Sequence, residues 1–478
     1  MMTINFPTFK PFNQMKKILG PRQTKETIET FNKKDFVDLF CSVQAKSQMI
    51  PTKSKLYKTT LFLGIILLAY PFVSSFPLKA QSLEVLIPEA LQNNPELKAT
   101  EKRWDAAKAM VPQAGAWMDP MLSFEGMSDT KDIGFTKYSF MEKKIGISQQ
   151  FPFPGKLGLK KKMVQYDAHM MEADYQHSKN MLISEVKMAY YELFSVNKTK
   201  EITENNKALL SDIAKLAETK YMVGQGLQPD VLSAHLELSK LDQKLIELKN
   251  EEAKLQLKLR TLLFRSEESS PIVPEEVKKT EFIVDSEKLK KEALEKNPML
   301  LEQKYLVDQN QASYRLAKKE YFPDFELTLK YGQDQISMGS MEKTNFIETM
   351  VGFNLPIYFF RKQNKMVEEK ADLLSSAQES FSYKQNELIN DLEDKVSDLK
   401  RNSDLLELFE DGILPQAQQS FQSAQTAYQV NKVDFQTLLY SLMNLYEYEM
   451  NYYMTLTEYQ KSLAELEVIV GTRLEGVK

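Results

Sequence analysis

Two spacings of apolar residues run along this chain. From Val231 the apolar positions continue through Ala234, Leu238, Leu241, Leu245, Leu248, Leu255, Leu259 and Leu262, alternating three and four apart, with Glu252 as the one charged exception. That spacing predicts a coiled-coil seam, and Leu209, Ile213, Leu216 and Ala217 upstream form a matching stripe for an antiparallel hairpin. Elsewhere the spacing is two. In "DFELTLKY" the face Phe325, Leu327, Leu329 and Tyr331 opposes Glu326, Thr328 and Lys330. In "FIETMVGFNL" the face Ile347, Thr349, Val351, Phe353 and Leu355 opposes Glu348, Met350, Gly352 and Asn354. A weaker pair sets Leu122 and Phe124 against Ser123 and Glu125, then Ile145, Ile147 and Phe151 against Gly146, Ser148 and Gln150. Alternation of this length predicts strands: membrane-spanning with one face to lipid, or a half-buried hairpin of a soluble sheet.

Punctuation places the helices. "QQFPFPGKLGLKKK" at 149–162 is dense in proline and glycine, whereas Leu159 to Val223, 65 residues, has neither. A helix of that length extends roughly 100 Å, several times a globular core, so it belongs in a bundle or tube. Pro152 and Pro154 end the preceding strand and Gly155 turns the chain into the helix; Pro356 in "GFNLPIYFFRK" does the same later. Gly224 and Gly226 in "VGQGLQP" turn the helix back. Gly412 and Pro415 should kink the second long helix or offset its register.

The echo extends to the whole chain. "EALQNNPEL" at 89–97 returns as "EALEKNPML" at 292–300, and Pro120 returns as Pro323, both at a shift of 203. "IGISQQFPF" at 145–153 corresponds to "VGFNLPI" at 351–357, and "YMVGQGLQPDVLSA" at 221–234 to "YQVNKVDFQTLLYS" at 428–441. Two homologous halves, 83–264 and 286–474, are therefore joined by an equatorial linker, 265–285. The first carries a helix, strands near 121–128 and 144–151, a long helix near 156–222 and a return helix near 230–263. The second carries a single helix near 286–318, strands near 324–332 and 346–355, a long helix near 360–430 and a return helix near 434–470. The helices at 230–263 and 286–318 are expected end to end along the first long helix, with the linker crossing as a belt.

Composition narrows the function. Only 16 of 478 residues are glycine, against a usual level of about 7%. The net charge is -4 with no basic cluster interleaved with aromatics, so nucleic acid is not an expected partner. One cysteine, Cys41, excludes a disulfide within the chain, and His169, His177 and His235 supply no zinc set. His169 and His177, eight apart on one helix, are too distant to chelate together. No nucleophile elbow, phosphate loop or dinucleotide fingerprint occurs, so neither an enzyme nor a cofactor is expected. Lys53, Lys55 and Lys58 precede "LFLGIILLAY" and small residues, which reads residues 49–80 as a signal peptide cleaved after Ala80, or alternatively after Ser75. Residues 1–48 are then a non-native or disordered extension, with translation beginning at Met49; a genuine cytoplasmic extension is the alternative.

Two hairpins give four strands, too few to close a membrane barrel, so membrane-spanning strands would have to be pooled by several chains. Over about residues 83–474, the duplication, the "QQFPFPGK" junction, the "YMVGQGLQPDVLSA" turn and the "ILPQAQQSFQSAQTAYQV" approach resemble the outer membrane efflux proteins, the TolC-like exit ducts. The resemblance implies a mainly α fold with a small membrane β-barrel: a homotrimer pooling twelve strands in outer membrane lipid, continued by a long helical tube into the periplasm of a Gram-negative bacterium. It further implies a periplasmic adaptor (membrane fusion) protein and an inner-membrane efflux pump as partners. The turns 224–230 and 431–437 become closable tips, with Gly224, Gly226, Asp230, Asp434, Thr437 and Tyr440 as gate candidates. Asp230 matches the position of an aspartate ring that would select cations; its other reading is a helix N-cap. Thr437 and Tyr440 stand where acidic residues often occur, and Asp434 is the available substitute.

"AWMDPML" resembles the heavy-metal branch of the family, and Met118, Met121, Met127 and Met141 lie near the first hairpin. Thioethers suit soft ions such as Cu(I) or Ag(I), and methionine also simply fills packing. Heavy-metal cations (Cu/Ag or Co/Zn/Cd) are thus one expected cargo, with drugs or secreted proteins as alternatives. A rival of another class is a periplasmic coiled-coil adaptor or structural protein with soluble hairpins.

Overall fold

The computed structural model describes residues 81–127, 142–334 and 344–474. The expected extension and signal peptide, together with Cys41 and Met141, lie outside the described residues.

Each repeat opens on a broken helix. Helices α1 (Leu83–Asn93) and α2 (Pro95–Ala114) are separated at Asn94, whose side-chain oxygen accepts hydrogen bonds from the amides of Glu96 (2.9 Å) and Leu97 (3.1 Å). In the second repeat α5 (Ser286–Lys296) and α6 (Pro298–Lys319) are separated at Asn297, which caps Leu300 at 2.9 Å. The single helix expected over 286–318 is therefore two. Proline biases the residue before it to extended backbone and itself favours a first helical position, so Asn-Pro ends one helix and starts the next. Both asparagine amides also reach a return helix: Asn94 donates to the Leu262 carbonyl and Asn297 to that of Ile469.

The long helix α3 (Lys156–Met222) has 67 residues and turns back into α4 (Gln228–Leu263). Ala234, Leu241, Leu248 and Leu255, seven apart, are all buried, while Leu238 and Leu245 are half-buried. Near the turn the facing side of α3 presents Leu210, Ile213, Ala214 and Ala217. Glu252 interrupts the seam without leaving a bare charge, because Lys200 meets it at 2.9 Å. Toward its start α3 packs on α2 and α6: Trp104 stacks on Tyr175, and His169 on Tyr305. Thus α4 and α6 both lie along α3.

The second long helix is interrupted. Helix α7 (Gln363–Leu408) passes through a π-helical turn (Phe409–Ile413) into α8 (Leu414–Gln429), and α9 (Phe435–Val470) returns. Pro415 has no N–H to donate, and a wider turn just before it accommodates the break.

Residues 265–285 are irregular but tightly held. The Gln256 side chain exchanges two hydrogen bonds with the backbone of Ile272 (2.7 and 2.9 Å), and the Tyr459 hydroxyl donates to the Thr280 carbonyl at 2.6 Å. Arg265 forks onto Glu89 at 2.6 and 2.7 Å. The bonds from Gln256 and Tyr459 satisfy backbone groups that the linker cannot pair with itself.

The four strands β1 (Met121–Met127), β2 (Glu142–Phe151), β3 (Phe325–Asp334) and β4 (Thr344–Phe353) form one antiparallel sheet in sequential order. The repeats meet through β2 and β3, where Ile145 opposes Tyr331 and Ile147 opposes Leu329. Among the described residues no helix is long and apolar enough to cross a membrane.

Candidate functional site

The sheet has two unlike faces. Register places Leu122, Phe124, Ile145, Ile147, Leu327, Leu329, Tyr331, Ile347 and Val351 on one face, and all of them are exposed. The opposite face holds Ser148 and Thr328, both buried, and an ionic ladder: Lys330 to Glu125 at 2.6 Å, Lys144 to Glu348 at 3.1 Å and to Glu142 at 2.9 Å. A broad apolar surface on strands whose polar face carries charge suits lipid outside and water inside. Strands β1 and β4 are the two edges of the sheet, so this face ends in unpaired backbone groups, which a bilayer does not tolerate.

Where the sheet meets the helices, the sequence-predicted junction residues set up a buried cation. Gly155 has φ 91°, a conformation that other residues reach only with strain, and it starts α3 after Pro152 and Pro154. The next residue, Lys156, is 2% exposed; its ammonium lies 3.0 Å from Glu320 and from Asp324 and donates to the Phe322 carbonyl at 3.1 Å. Phe153 stacks on Phe322 with centroids 4.5 Å apart, and its amide donates to Asp324 at 2.7 Å. Pro356, at the corresponding place in the second repeat, is half-buried, but the Ile357–Phe360 run after it is exposed.

At the other end of the helices the two turns share a backbone and differ in capping. Gly224 (φ 76°) and Asn431 (φ 61°) occupy the same left-handed position. A Cβ at Gly226 would meet the Tyr221 amide nitrogen at 3.0 Å, a tight approach that favours glycine here. In the first turn Leu227 precedes the helix and provides no side-chain cap. The N-cap reading of Asp230 is thereby corrected: Asp230 is the third helical residue, because Gln228 and Pro229 already lie in α4. In the second turn Asp434 is the N-cap; it accepts from the Thr437 amide at 2.9 Å, and hydrogen bonds from Thr437 hold its carboxyl below the usual range. Thr437 and Tyr440 are exposed.

One residue that the pattern did not single out joins the two turns. Lys220 is buried, and its ammonium donates to the Tyr428 carbonyl at 2.8 Å and to the Asn431 side-chain oxygen, above the Tyr428 ring. It thus holds the C-terminal end of α8 from α3, where helix carbonyls favour a cation. Asp230 is close enough to act on the same tyrosine, whose hydroxyl pKa is raised by burial and then by this carboxylate. The shift of 207 puts Ala427 opposite Lys220 in the other repeat, so the latch has no counterpart.

The sequence profile of the outer membrane efflux protein family matches residues 86–263 and 289–472, one segment per repeat. The chain belongs to that family. No protein of curated function matches the sequence. Among solved structures, the efflux protein is similar to CusC (TM-score 0.71, 16% identity, 82% of this chain and 92% of that one). It is similar also to the Campylobacter jejuni CmeC outer membrane channel (0.69, 15%, 83% and 87%) and to VceC from Vibrio cholerae (0.67, 15%, 82% and 97%). At such identities these likenesses show the fold. Family membership places this efflux protein in the outer membrane, with its helices on the periplasmic side.

The remaining chemistry-bearing residues of the efflux protein do not converge. Met118, Met121 and Met127 are exposed, and six residues of strand, about 20 Å, separate the last two. His169 pairs with Glu172 at 3.4 Å, whereas His177 lies half-buried beside Met299 and Leu300, where burial lowers its pKa. Among the described residues no group of three His, Cys, Asp or Glu side chains is placed to hold a metal ion. Beside the π-helical turn, a cleft of about 610 Å³ is lined by Asn206, Glu410, Pro415, Glu449 and Tyr452. Burial raises the pKa of Glu449 there, and burial with the neighbouring Glu410 raises that of Tyr452.

Proposed function

We propose that this efflux protein is the exit duct of a tripartite system: three copies pool their strands into a twelve-stranded barrel, and the helices continue the passage through the periplasm to an adaptor and an inner-membrane pump. The observation that carries the reading is the sheet itself, with an exposed apolar face, a charged opposite face and two open edges. Water would destabilise such a face, and closure in lipid satisfies both edges at once. The turns at Gly224–Asp230 and Asn431–Thr437 are the periplasmic tip. Asp230 and Asp434, repeated by three-fold symmetry, attract cations there. Heavy-metal cations are the favoured cargo on the strength of the "WMDP" run; they pass through the duct toward the outside.

Light scattering and negative-stain imaging of the mature protein in mild detergent test the duct. A trimer with a membrane collar is expected; a water-soluble monomer or dimer released by osmotic shock would return the hairpins to a periplasmic adaptor. Growth of a deletion strain on copper, silver, cobalt, zinc and cadmium salts, beside drugs of several classes, tests the cargo. Sensitivity to drugs alone would replace the metal assignment.

A further inference from the structure

The internal duplication makes one half of this molecule a template for contacts missing from the other. The turn before β3, Lys319–Asp324, is gripped from both sides. On one side stands the β2-to-α3 junction, with Phe153 stacked on Phe322 and Lys156 between Glu320 and Asp324. On the other stands the β4-to-α7 junction, where Asn354 accepts from the Asp324 amide at 2.6 Å and the Tyr321 hydroxyl donates to Asn364 at 2.7 Å.

The corresponding turn before β1, Ala116–Pro120, is gripped from one side only. Gln149 donates to the Met118 carbonyl at 2.7 Å, and Trp117 sits edge-on to Phe151 with centroids 5.2 Å apart. These are contacts to its own repeat's strand-to-helix junction, equivalent to those that Asn354 and Asn364 make. Among the described residues the other grip is absent within one chain. Trp117 is 64% exposed and Met118 57% exposed, with Asp119 beside them on the surface.

The surface that would supply the second grip is also unmatched. It is the β4-to-α7 junction, where Tyr358 is 67% exposed and Phe359 and Phe360 follow, ahead of Arg361 and Lys362. One open surface therefore precedes edge strand β1, and the other follows edge strand β4. Antiparallel pairing of β4 with the β1 of another copy sets the end of one strand beside the start of the other, which brings these two surfaces together. Their charges also match. The completed lock places the cation Lys156 against carboxylates, and the open halves offer Arg361 and Lys362 on one side and Asp119 on the other.

We infer that Ala116–Pro120 of one copy is the docking site for Ile357–Lys362 of a second copy of this chain, with Trp117 and Met118 covered by the Tyr358–Phe360 aromatics and Asp119 meeting Arg361. This rests on the duct reading, because it needs the strands to be pooled between chains. Its consequence is that every repeat boundary in the ring is fastened at the barrel-to-helix level, alternately within a chain and between chains.

Paired cysteines test it in the full chain, with Cys41 replaced by serine. Asp119→Cys with Arg361→Cys, and Trp117→Cys with Tyr358→Cys, are oxidised in isolated outer membranes and run without reductant. Bands of two and three chain masses are expected from both pairs and are lost with reductant. A charge exchange adds an independent readout: Asp119→Lys and Arg361→Asp should each lower the temperature at which the detergent-extracted trimer dissociates, and the double exchange should recover it. Trimers that form normally but give no disulfide from either pair would overturn the docking site and leave the duct standing. Monomers from the unaltered protein would sink both.

Discussion

Lys220→Met removes the positive charge that joins the two tip turns through the Tyr428 carbonyl and the Asn431 side chain while keeping an apolar stem of similar length. A hydrogen bond from a charged donor is worth about 1.5–3 kcal/mol net. Two such bonds are offset in part by the several kcal/mol needed to desolvate a buried ammonium. A residual near 2 kcal/mol per chain corresponds to roughly a 30-fold change in the ratio of latched to released turns. Lys220 is buried and the acceptor carbonyl lies near the C-terminal end of α8, so water replaces the lost partner poorly. Single-channel recording in planar bilayers is the assay. Lys220→Met should increase conductance or open time, Lys220→Arg should change it less, and the melting temperature should fall only slightly because the main core packing is untouched. Hydrogen exchange across 426–436 should speed up in parallel. If Lys220→Met is folded and its conductance and exchange equal those of the unaltered protein, the lysine does not hold the tip and the latch is refuted.

Further outcomes follow from the geometry. Lys156→Met should destabilise the protein by about 2 kcal/mol, less than for a fully enclosed pair because Glu320 and Asp324 remain about one third exposed; Gly155→Ala should cost about 1–2 kcal/mol through its positive φ, and heat stability of the extracted protein measures both. Glu449 has its pKa raised by burial, so the folded state takes up its proton above the unfolded value, and its contribution is lost as pH rises through the folded pKa. Glu449→Gln should therefore raise the melting temperature at neutral pH and flatten its fall between acidic and neutral conditions; an unchanged profile would show that the carboxyl is hydrated. Asp230→Ala should lower cation preference in reversal-potential measurements without loss of assembly. Asp434→Ala should also loosen the start of α9, and since the Asp434 pKa is lowered, that cap is present above the unfolded pKa and lost as pH falls through the folded one.

The seam of α4, the alternating strands and the twofold repeat were legible in the sequence because each is a local or periodic property. A three-four spacing has one favourable partner geometry, and alternation has one favourable backbone. The Asn-Pro breaks at Asn94 and Asn297 were equally local, and they were missed because apolar periodicity continues across them while the capping side chain redirects only a few amides. The tertiary structure alone decided what the long-range partners would be. Lys156 finds carboxylates 164 and 168 residues away, and Lys220 finds acceptors 208 and 211 residues away. No pattern along the chain marks either lysine as buried, because a lysine on a long helix ordinarily keeps its charge in water. The sheet tells the same story from the other side. Sequence determined which residues share each strand face, since side chains alternate whatever the surroundings. Only the register of β2 against β3 decided that the four apolar faces merge into one exposed surface, and only the fold left the turn before β1 without the neighbour that its twin before β3 possesses. Local sequence specifies backbone and periodicity; which buried charge is paired, and which surface is left waiting, depends on contacts between segments far apart in the chain.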